Sequence, residues 1–160
     1  MPRTQSRHML PRILGVVLLG AGLTVALHGG TTLDARYNKV AVEPVTTSIY
    51  VGYVKLAIPM FTRVGAGYAG NYSAGVFPFF FWSEHGKMAI GISDDDLRRL
   101  ARGETVDFKG QAETSDGEAR HIEGRAVPQT ATQGKLKVRV FVSQKIQLIF
   151  NTTYRFVGGP

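Results

Sequence analysis

The stretch ETVDFKGQAETSDGEARHIEGRAV, residues 104–127, has the clearest structural pattern in this 160-residue chain. Small or apolar residues alternate with polar ones on both sides of a Ser115-Asp116-Gly117 turn. The apolar series is Val106, Phe108, Gly110, Ala112, Ile122, Gly124 and Ala126. Such alternation is typical of strands with one buried and one solvated face, and a short glycine-containing turn joins two of them as a hairpin. The segment therefore predicts antiparallel β-structure.

Similar patterns recur along most of the chain. Strands are predicted where β-branched and aromatic residues concentrate or alternate with polar ones, at 37–42, 45–56, 72–82, 87–92, 135–140 and 146–156. No helices recur between these segments, which excludes a βαβ arrangement. The sequence is therefore expected to be mainly β, with a single antiparallel β-sandwich or open barrel.

One short helix is predicted at about residues 93–102. Ser93 is a typical N-cap, Asp96 lies where a capping-box partner is expected, and Gly103 can adopt the left-handed conformation that ends a helix. Aspartates occupy the first turn and arginines the last, in agreement with the helix dipole. The apolar stripe consists of Leu97, Leu100 and Ala101. This stripe predicts a helix that plugs one end or edge of a sheet.

The N-terminal residues resemble an export or anchoring signal. Arg3, Arg7 and Arg12 precede an apolar run from Ile13 to Leu27, the order that translocation machinery recognises. The run is shorter than the roughly 20 residues that span a bilayer, but its uncharged flanks can lengthen it. We expect residues 1–30 to form a retained transmembrane signal anchor. The alternative is a signal peptide cleaved after Ala26, which would release a secreted protein.

Composition limits the partners of the remaining domain, residues 31–160, which is expected to be periplasmic or at the cell surface. The chain has no cysteine, so neither disulfides nor a lipidated cysteine contribute, and apolar packing must stabilise the fold. The net charge is +7, and +4 remains after the three N-terminal arginines. This modest excess favours at most loose attraction to lipid headgroups or envelope polyanions. No motif predicts nucleic-acid binding.

An aromatic run, FPFFFW at residues 77–82, is the most unusual local feature. As a strand, it would carry aromatic rings on both faces. We expect Phe77, Phe79 and Phe81 to be buried, and Phe80 and Trp82 to be at least partly exposed. Pro78 favours an edge strand because proline cannot donate to a central ladder. The exposed pair could therefore dock a partner or dip into the bilayer interface.

A basic row, Lys135, Lys137 and Arg139, alternates with apolar residues in a later predicted strand. Such a row discourages strands from pairing edge to edge, or it faces anionic headgroups. The predicted interaction patch consists of Phe80, Trp82, Lys135, Lys137 and Arg139.

Catalytic, cofactor and metal motifs find little support. A G-x-G-x-x-G match at residues 65–70 does not open a helix, which indicates a flexible loop rather than a dinucleotide site. No serine-hydrolase elbow or serine-lysine box is present. His85 and His121 have no third ligand nearby in sequence, and the Asp94-Asp95-Asp96 run is explained as a helix start. We therefore assign no catalytic, cofactor or metal residues.

These observations favour a membrane-tethered, non-enzymatic accessory or structural domain of a cell envelope. Residues 13–27 would contact the membrane, and the domain would bind an envelope protein or polymer. The alternative is an extracytoplasmic hydrolase or transferase whose site assembles from distant residues. Candidates for that site are Ser73, Glu84, His85 and His121.

Overall fold

The computed structural model describes residues 35–158, and this part of the chain is mainly β. The strands are β1 Lys39–Val42, β2 Val45–Ser48, β3 Tyr53–Ala57, β4 Phe61–Val64, β5 Gly67–Phe77, β6 Glu84–Gly91, β7 Val106–Thr114, β8 Ala119–Pro128, β9 Gln133–Phe141 and β10 Gln147–Phe156. One α-helix, α1 Asp94–Ala101, and two 3₁₀ turns, Ala35–Tyr37 and Phe80–Trp82, complete the elements. The expected signal anchor lies outside the described residues. Between residues 35 and 158, no helix is both long and apolar enough to cross a membrane.

The strands form a closed antiparallel barrel of eight strands. Around the barrel the order is β5, β4, β1, β10, β9, β8, β7 and β6, and pairing between β5 and β6 closes the ring. The prediction of a mainly β, antiparallel domain with one short helix is confirmed. The expected sandwich or open barrel is wrong, because closure pairs every strand of the ring on both sides and leaves no open edge.

β2 and β3 extend the hairpin that β1 and β4 begin. Val40 pairs with Phe61 and Val45 with Leu56, so one register continues across the interruptions at Glu43-Pro44 and at residues 58–60. Glu43 stays attached to the neighbouring strand, since its N–H donates to the carbonyl of Thr153. The predicted single strand at 45–56 is therefore wrong, because the chain reverses at residues 49–52.

The barrel interior is a packed apolar core. Alternate residues of each strand point inward, and Val106, Ile122 and Phe150 are among the most buried side chains. An apolar space of only about 40 Å³ remains inside, far below the roughly 300 Å³ or more of a typical ligand pocket. The described barrel is therefore filled by its own side chains, as is usual for eight strands.

Helix α1 covers one end of the barrel, here called the closed end. Leu97 and Leu100 are almost fully buried, and Ser93 caps the helix in a reciprocal capping box with Asp96. Gly103 follows the helix with φ of +86°. These features confirm the predicted helix and its plugging role.

Arg63 ties the start of α1 to β4. Its guanidinium donates to the carbonyl of Ile92 at 2.7 Å and to Asp94 at 2.6 Å, and it lies over the ring of Tyr68. Tyr68 in turn donates to the carbonyl of Tyr37, and burial raises its pKa to about 12. The closed end therefore joins the helix, β4 and the first described turn of the chain.

Removing the helix cap by Ser93→Ala should lower the free energy of unfolding by about 0.5 to 2 kcal/mol. Hydrogen bonding by Ser93 holds the pKa of Asp96 below its usual range. This carboxylate therefore adds stability that is present above its unfolded pKa, near 4, and is lost as pH falls through the lower folded value. Denaturant midpoints measured between pH 2 and 7 should show that Ser93→Ala weakens this acid-side loss. Midpoints identical to the parent at every pH would contradict the capping box.

Two further local predictions are corrected. The segment 72–82 is not one strand, because β5 ends at Phe77 and residues 80–82 form a 3₁₀ turn. Residues 67–70 are not a flexible loop, because Gly67 begins β5. Side chains at Gly67 and Gly70 would overlap the carbonyls of Ile90 and Met60, so these glycines permit close strand packing.

Candidate interaction surface

Four loops form the end of the barrel opposite α1. Because neighbouring strands are antiparallel, the loops that follow β2, β5, β7 and β9 all emerge at this end. They comprise residues 49–52, 78–83, 115–118 and 142–146, and we call this the loop end. The first two loops contain no charged residue.

The first loop packs against the end of β5. The N–H of Ile49 donates to the carbonyl of Gly52 at 3.1 Å, which closes the turn. Gly52 has φ of +106°, and a side chain there would overlap the carbonyl of Phe77. Glycine is required for both reasons. The turn leaves Tyr50 fully exposed.

The second loop contains the aromatic run. Pro78 follows Phe77, lacks an N–H for the ladder and coincides with the end of β5. Three backbone bonds then hold the 3₁₀ turn, from the N–H groups of residues 80, 82 and 83 to the carbonyls of residues 78, 79 and 80. Ser83 accepts a bond from the N–H of Val76 at 3.0 Å. The loop is therefore hydrogen-bonded within itself and to β5.

Rings of the second loop and of the adjoining ends of β3 and β5 contact one another in two groups. Tyr53 stacks on Phe77 with centroids 5.2 Å apart, and Phe80 meets Phe77 edge to face at 5.6 Å. In the second group, Trp82 lies 4.7 Å from Phe79 and 5.1 Å from Phe81. Phe79 is half-buried against the core. We call the exposed apolar members the aromatic patch: Tyr50, Val51, Tyr53, Phe77, Phe80, Phe81 and Trp82.

The structure separates the aromatic run differently from the sequence prediction. Phe80 and Trp82 are exposed, by 69% and 60%, which confirms that part. Phe77 and Phe81 were expected to be buried, but they are 44% and 76% exposed. Phe77 is exposed because it lies on the outer face of β5, next to the inward-facing Val76. Phe81 is exposed because the strand ends at Phe77, so alternation between faces no longer applies to it. Large exposed apolar side chains gathered at one place mark interaction surfaces.

A polar network lies just below the patch at the barrel mouth. Glu84, the first residue of β6, accepts hydrogen bonds from Tyr72 and Arg120, both at 3.0 Å. Arg120 also pairs with Glu118 at 2.6 Å. Burial raises the pKa of the Tyr72 hydroxyl, and Glu84 raises it further. The tyrosine therefore stays neutral at ordinary pH, and the ion pairs hold β6 and the third loop together.

The basic row does not lie beside the aromatic patch. Lys135, Lys137 and Arg139 are on the outer face of β9, which is four strands from β5 in either direction around the barrel. Arg139 approaches Glu123 at 3.7 Å. Lys135 and Lys137 form no ion pair within the described chain. The five residues of the predicted patch are thus divided between two surfaces on opposite sides.

The residues considered for catalysis are only partly brought together. Ser73 and His85 are direct cross-strand partners on β5 and β6, beside an open groove of about 650 Å³. No hydrogen bond joins them. Glu84 points into the barrel mouth instead, and His121 lies on β8, 3.5 Å from Glu123. Among residues 35–158, no hydrogen bond orients the His85 ring towards the serine, as a nucleophile and base pair requires.

Metal binding receives no geometric support within residues 35–158. No group of three or more His, Cys, Asp or Glu side chains converges there. The aspartates at the start of α1 are each occupied by other partners, with Asp94 on Arg63, Asp95 on Arg98 and Asp96 on Ser93.

The contribution of the first loop and of the adjoining start of β3 to the surface was not predicted from the sequence. Tyr50, Val51 and Tyr53 were assigned to a continuous strand because β-formers surround them. The available signal was Gly52, since a lone glycine in a strand pattern often marks a break or a close approach.

Comparison of the chain with protein-family models, curated proteins and solved structures finds no match.

Proposed function

We propose that this protein is a membrane-tethered, non-enzymatic accessory domain of a cell envelope that acts by binding a partner through the aromatic patch. The patch is the observation that supports this proposal most strongly. Seven large apolar side chains project at one end of a barrel whose interior is already filled, five from two uncharged loops and two from the adjoining ends of β3 and β5. Burying one such side chain is worth about 1.5 to 3 kcal/mol, so a matching partner surface would gain substantial free energy.

The tether in this proposal is the apolar segment 13–27 with its preceding arginines. It places the residues after Gly30 outside the cytoplasm. A reporter that is active only outside the cytoplasm should therefore be active when fused after Pro160. Activity of a cytoplasm-only reporter at that position would contradict the localisation.

Removing the patch should abolish association with the partner. On native gels of solubilised cell membranes, the unchanged full chain should migrate as a larger complex with its partner. In the full-chain variant Phe80→Ser, Phe81→Ser, Trp82→Ser, we expect the amount of this complex to fall at least tenfold, because anchor side chains dominate interface energies. A matched control carries Val64→Ser, Val127→Ser and Ile149→Ser, which replace exposed apolar side chains elsewhere. The control should keep the complex. Equal behaviour of the two variants would exclude the patch as the binding surface.

The alternative function is a hydrolase or transferase, and the pairing of Ser73 with His85 is the observation that favours it. A fluorophosphonate probe distinguishes the two functions. Under the binding proposal the full chain is not labelled. Labelling at Ser73 that disappears in His85→Ala would support the enzyme instead.

A further inference from the structure

Building on the proposed function, we propose that the aromatic patch is occupied by a protein whose apolar groove is bordered by basic side chains. A lipid bilayer and a second copy of this chain are the competing occupants. Charge and rigidity both favour the first.

The charge of the loop end is opposite to that of the chain. The four loops carry Asp116, Glu118 and Lys145, a net charge of −1 from these three residues, whereas the whole chain carries +7. The acidic third loop lies beside the start of β6, the strand that follows the aromatic loop, because the N–H of Ser115 donates to the carbonyl of His85 at 2.9 Å. Hydrogen bonding by Thr114 lowers the pKa of Asp116, so this carboxylate is ionised at neutral pH.

These acidic groups discriminate between the occupants. Anionic membrane surfaces attract clusters of lysine and arginine. With Glu84 and Arg120 of the barrel mouth included, the loop end offers one lysine and one arginine against three carboxylates, and the arginine is paired with Glu84 and Glu118. A second copy would meet the patch with the same surface, since two-fold pairing brings identical regions together. Its carboxylates would then approach those of the first copy, which opposes pairing. A partner with lysine or arginine around its groove matches both the rings and the charge.

The patch is also held rigid before binding. Backbone hydrogen bonds fix the first and second loops, and Ser83 anchors the second loop to Val76. The rings support one another through edge and stacked contacts. Little conformational freedom remains to be lost on docking into a shaped groove. A fluid bilayer does not require such preorganisation.

Site-specific photo-cross-linking tests the occupant. A benzophenone amino acid replaces Phe81 in the full chain, expressed in its own cells, and the adduct is identified by mass spectrometry. We expect a protein adduct at an apolar peptide with neighbouring lysine or arginine. Neutralising the acidic loop by Asp116→Asn with Glu118→Gln should lower the yield about 3- to 10-fold at low salt. The control pair, Glu43→Gln with Asp107→Asn, should leave the yield unchanged.

Each other outcome would overturn the inferred occupant, the basic border of its groove or the proposed function. Adducts only to lipid or only to a second copy would overturn the inferred occupant while leaving the patch as a binding surface. A protein adduct whose yield is equal in the neutralised and control pairs would overturn the basic border of the groove. Absence of any adduct, together with an intact complex in the triple serine variant, would overturn the proposed function itself.

Discussion

Truncation of Phe108 to alanine should lower the free energy of unfolding by about 3 to 5 kcal/mol, the usual loss for a buried phenylalanine. Its ring lies inside the barrel, 6% exposed, and occupies the space where a side chain on Gly124 would be. The glycine and the ring are thus complementary parts of the core. Denaturant unfolding of the full chain in mild detergent measures the loss.

Truncations in the aromatic patch should affect stability much less than truncation of the core residue Phe108. Phe80→Ala and Trp82→Ala should each change the free energy of unfolding by less than about 1 kcal/mol, because both side chains are largely exposed. Far-ultraviolet circular dichroism should confirm that both variants keep the β fold. If Trp82→Ala destabilised the protein as much as Phe108→Ala, the tryptophan would be a core residue and the patch would not exist.

Gly52→Val should disrupt the packing of the first loop against Phe77, which supports the aromatic patch. A valine at φ of +106° is strained, and its side chain would overlap the carbonyl of Phe77. We expect a loss of about 2 to 4 kcal/mol from backbone strain and overpacking together. Because the first loop and Phe77 must then move apart, the larger membrane complex should also be lost.

A second glycine provides the control for this variant. Gly75 lies on β5, and a side chain there has nothing within 4 Å. Gly75→Val should therefore alter stability by less than about 1 kcal/mol and preserve the complex. Similar losses for both variants would mean that valine harms this region generally, and the specific role of Gly52 would be wrong.

Local chemistry was sufficient to predict α1 and the β7–β8 hairpin. The cap at Ser93, the stop at Gly103 and the turn at Gly117 each depend only on residues a few positions away in the sequence. Each can therefore be recognised from the sequence directly. Gly117 indeed has φ of +88°. The same applies to the end of β10, whereas β6 begins at Glu84 rather than at Lys87, where it was predicted to begin because Glu84, His85 and Gly86 have the composition of a turn.

Closure of the barrel could not be predicted in this way. Alternation shows that one face of each strand is buried, and a sandwich and a barrel share that property. The decisive pairings join β1 to β10 and β5 to β6. The first of these pairings joins strands about 110 residues apart. The residue pattern of one strand does not indicate which distant strand it pairs with.

The interaction surface was predicted only in part for the same reason. Phe80 and Trp82 were correctly expected to be exposed, but the first loop joins them through the strand order of the barrel. That order also places Lys135, Lys137 and Arg139 across from them. Which exposed residues share a surface depends on the tertiary arrangement, which no short motif determines.

The emission of Trp82 tests the central claim most directly, because it is the only tryptophan in the chain. The full chain is placed in phosphatidylcholine nanodiscs, and quenching by acrylamide is compared with quenching by brominated lipid. We expect emission typical of a solvent-exposed indole, quenched by acrylamide and insensitive to brominated lipid. Blue-shifted emission that acrylamide does not quench, or emission that brominated lipid quenches, would contradict an aromatic patch that is exposed and available to a protein partner.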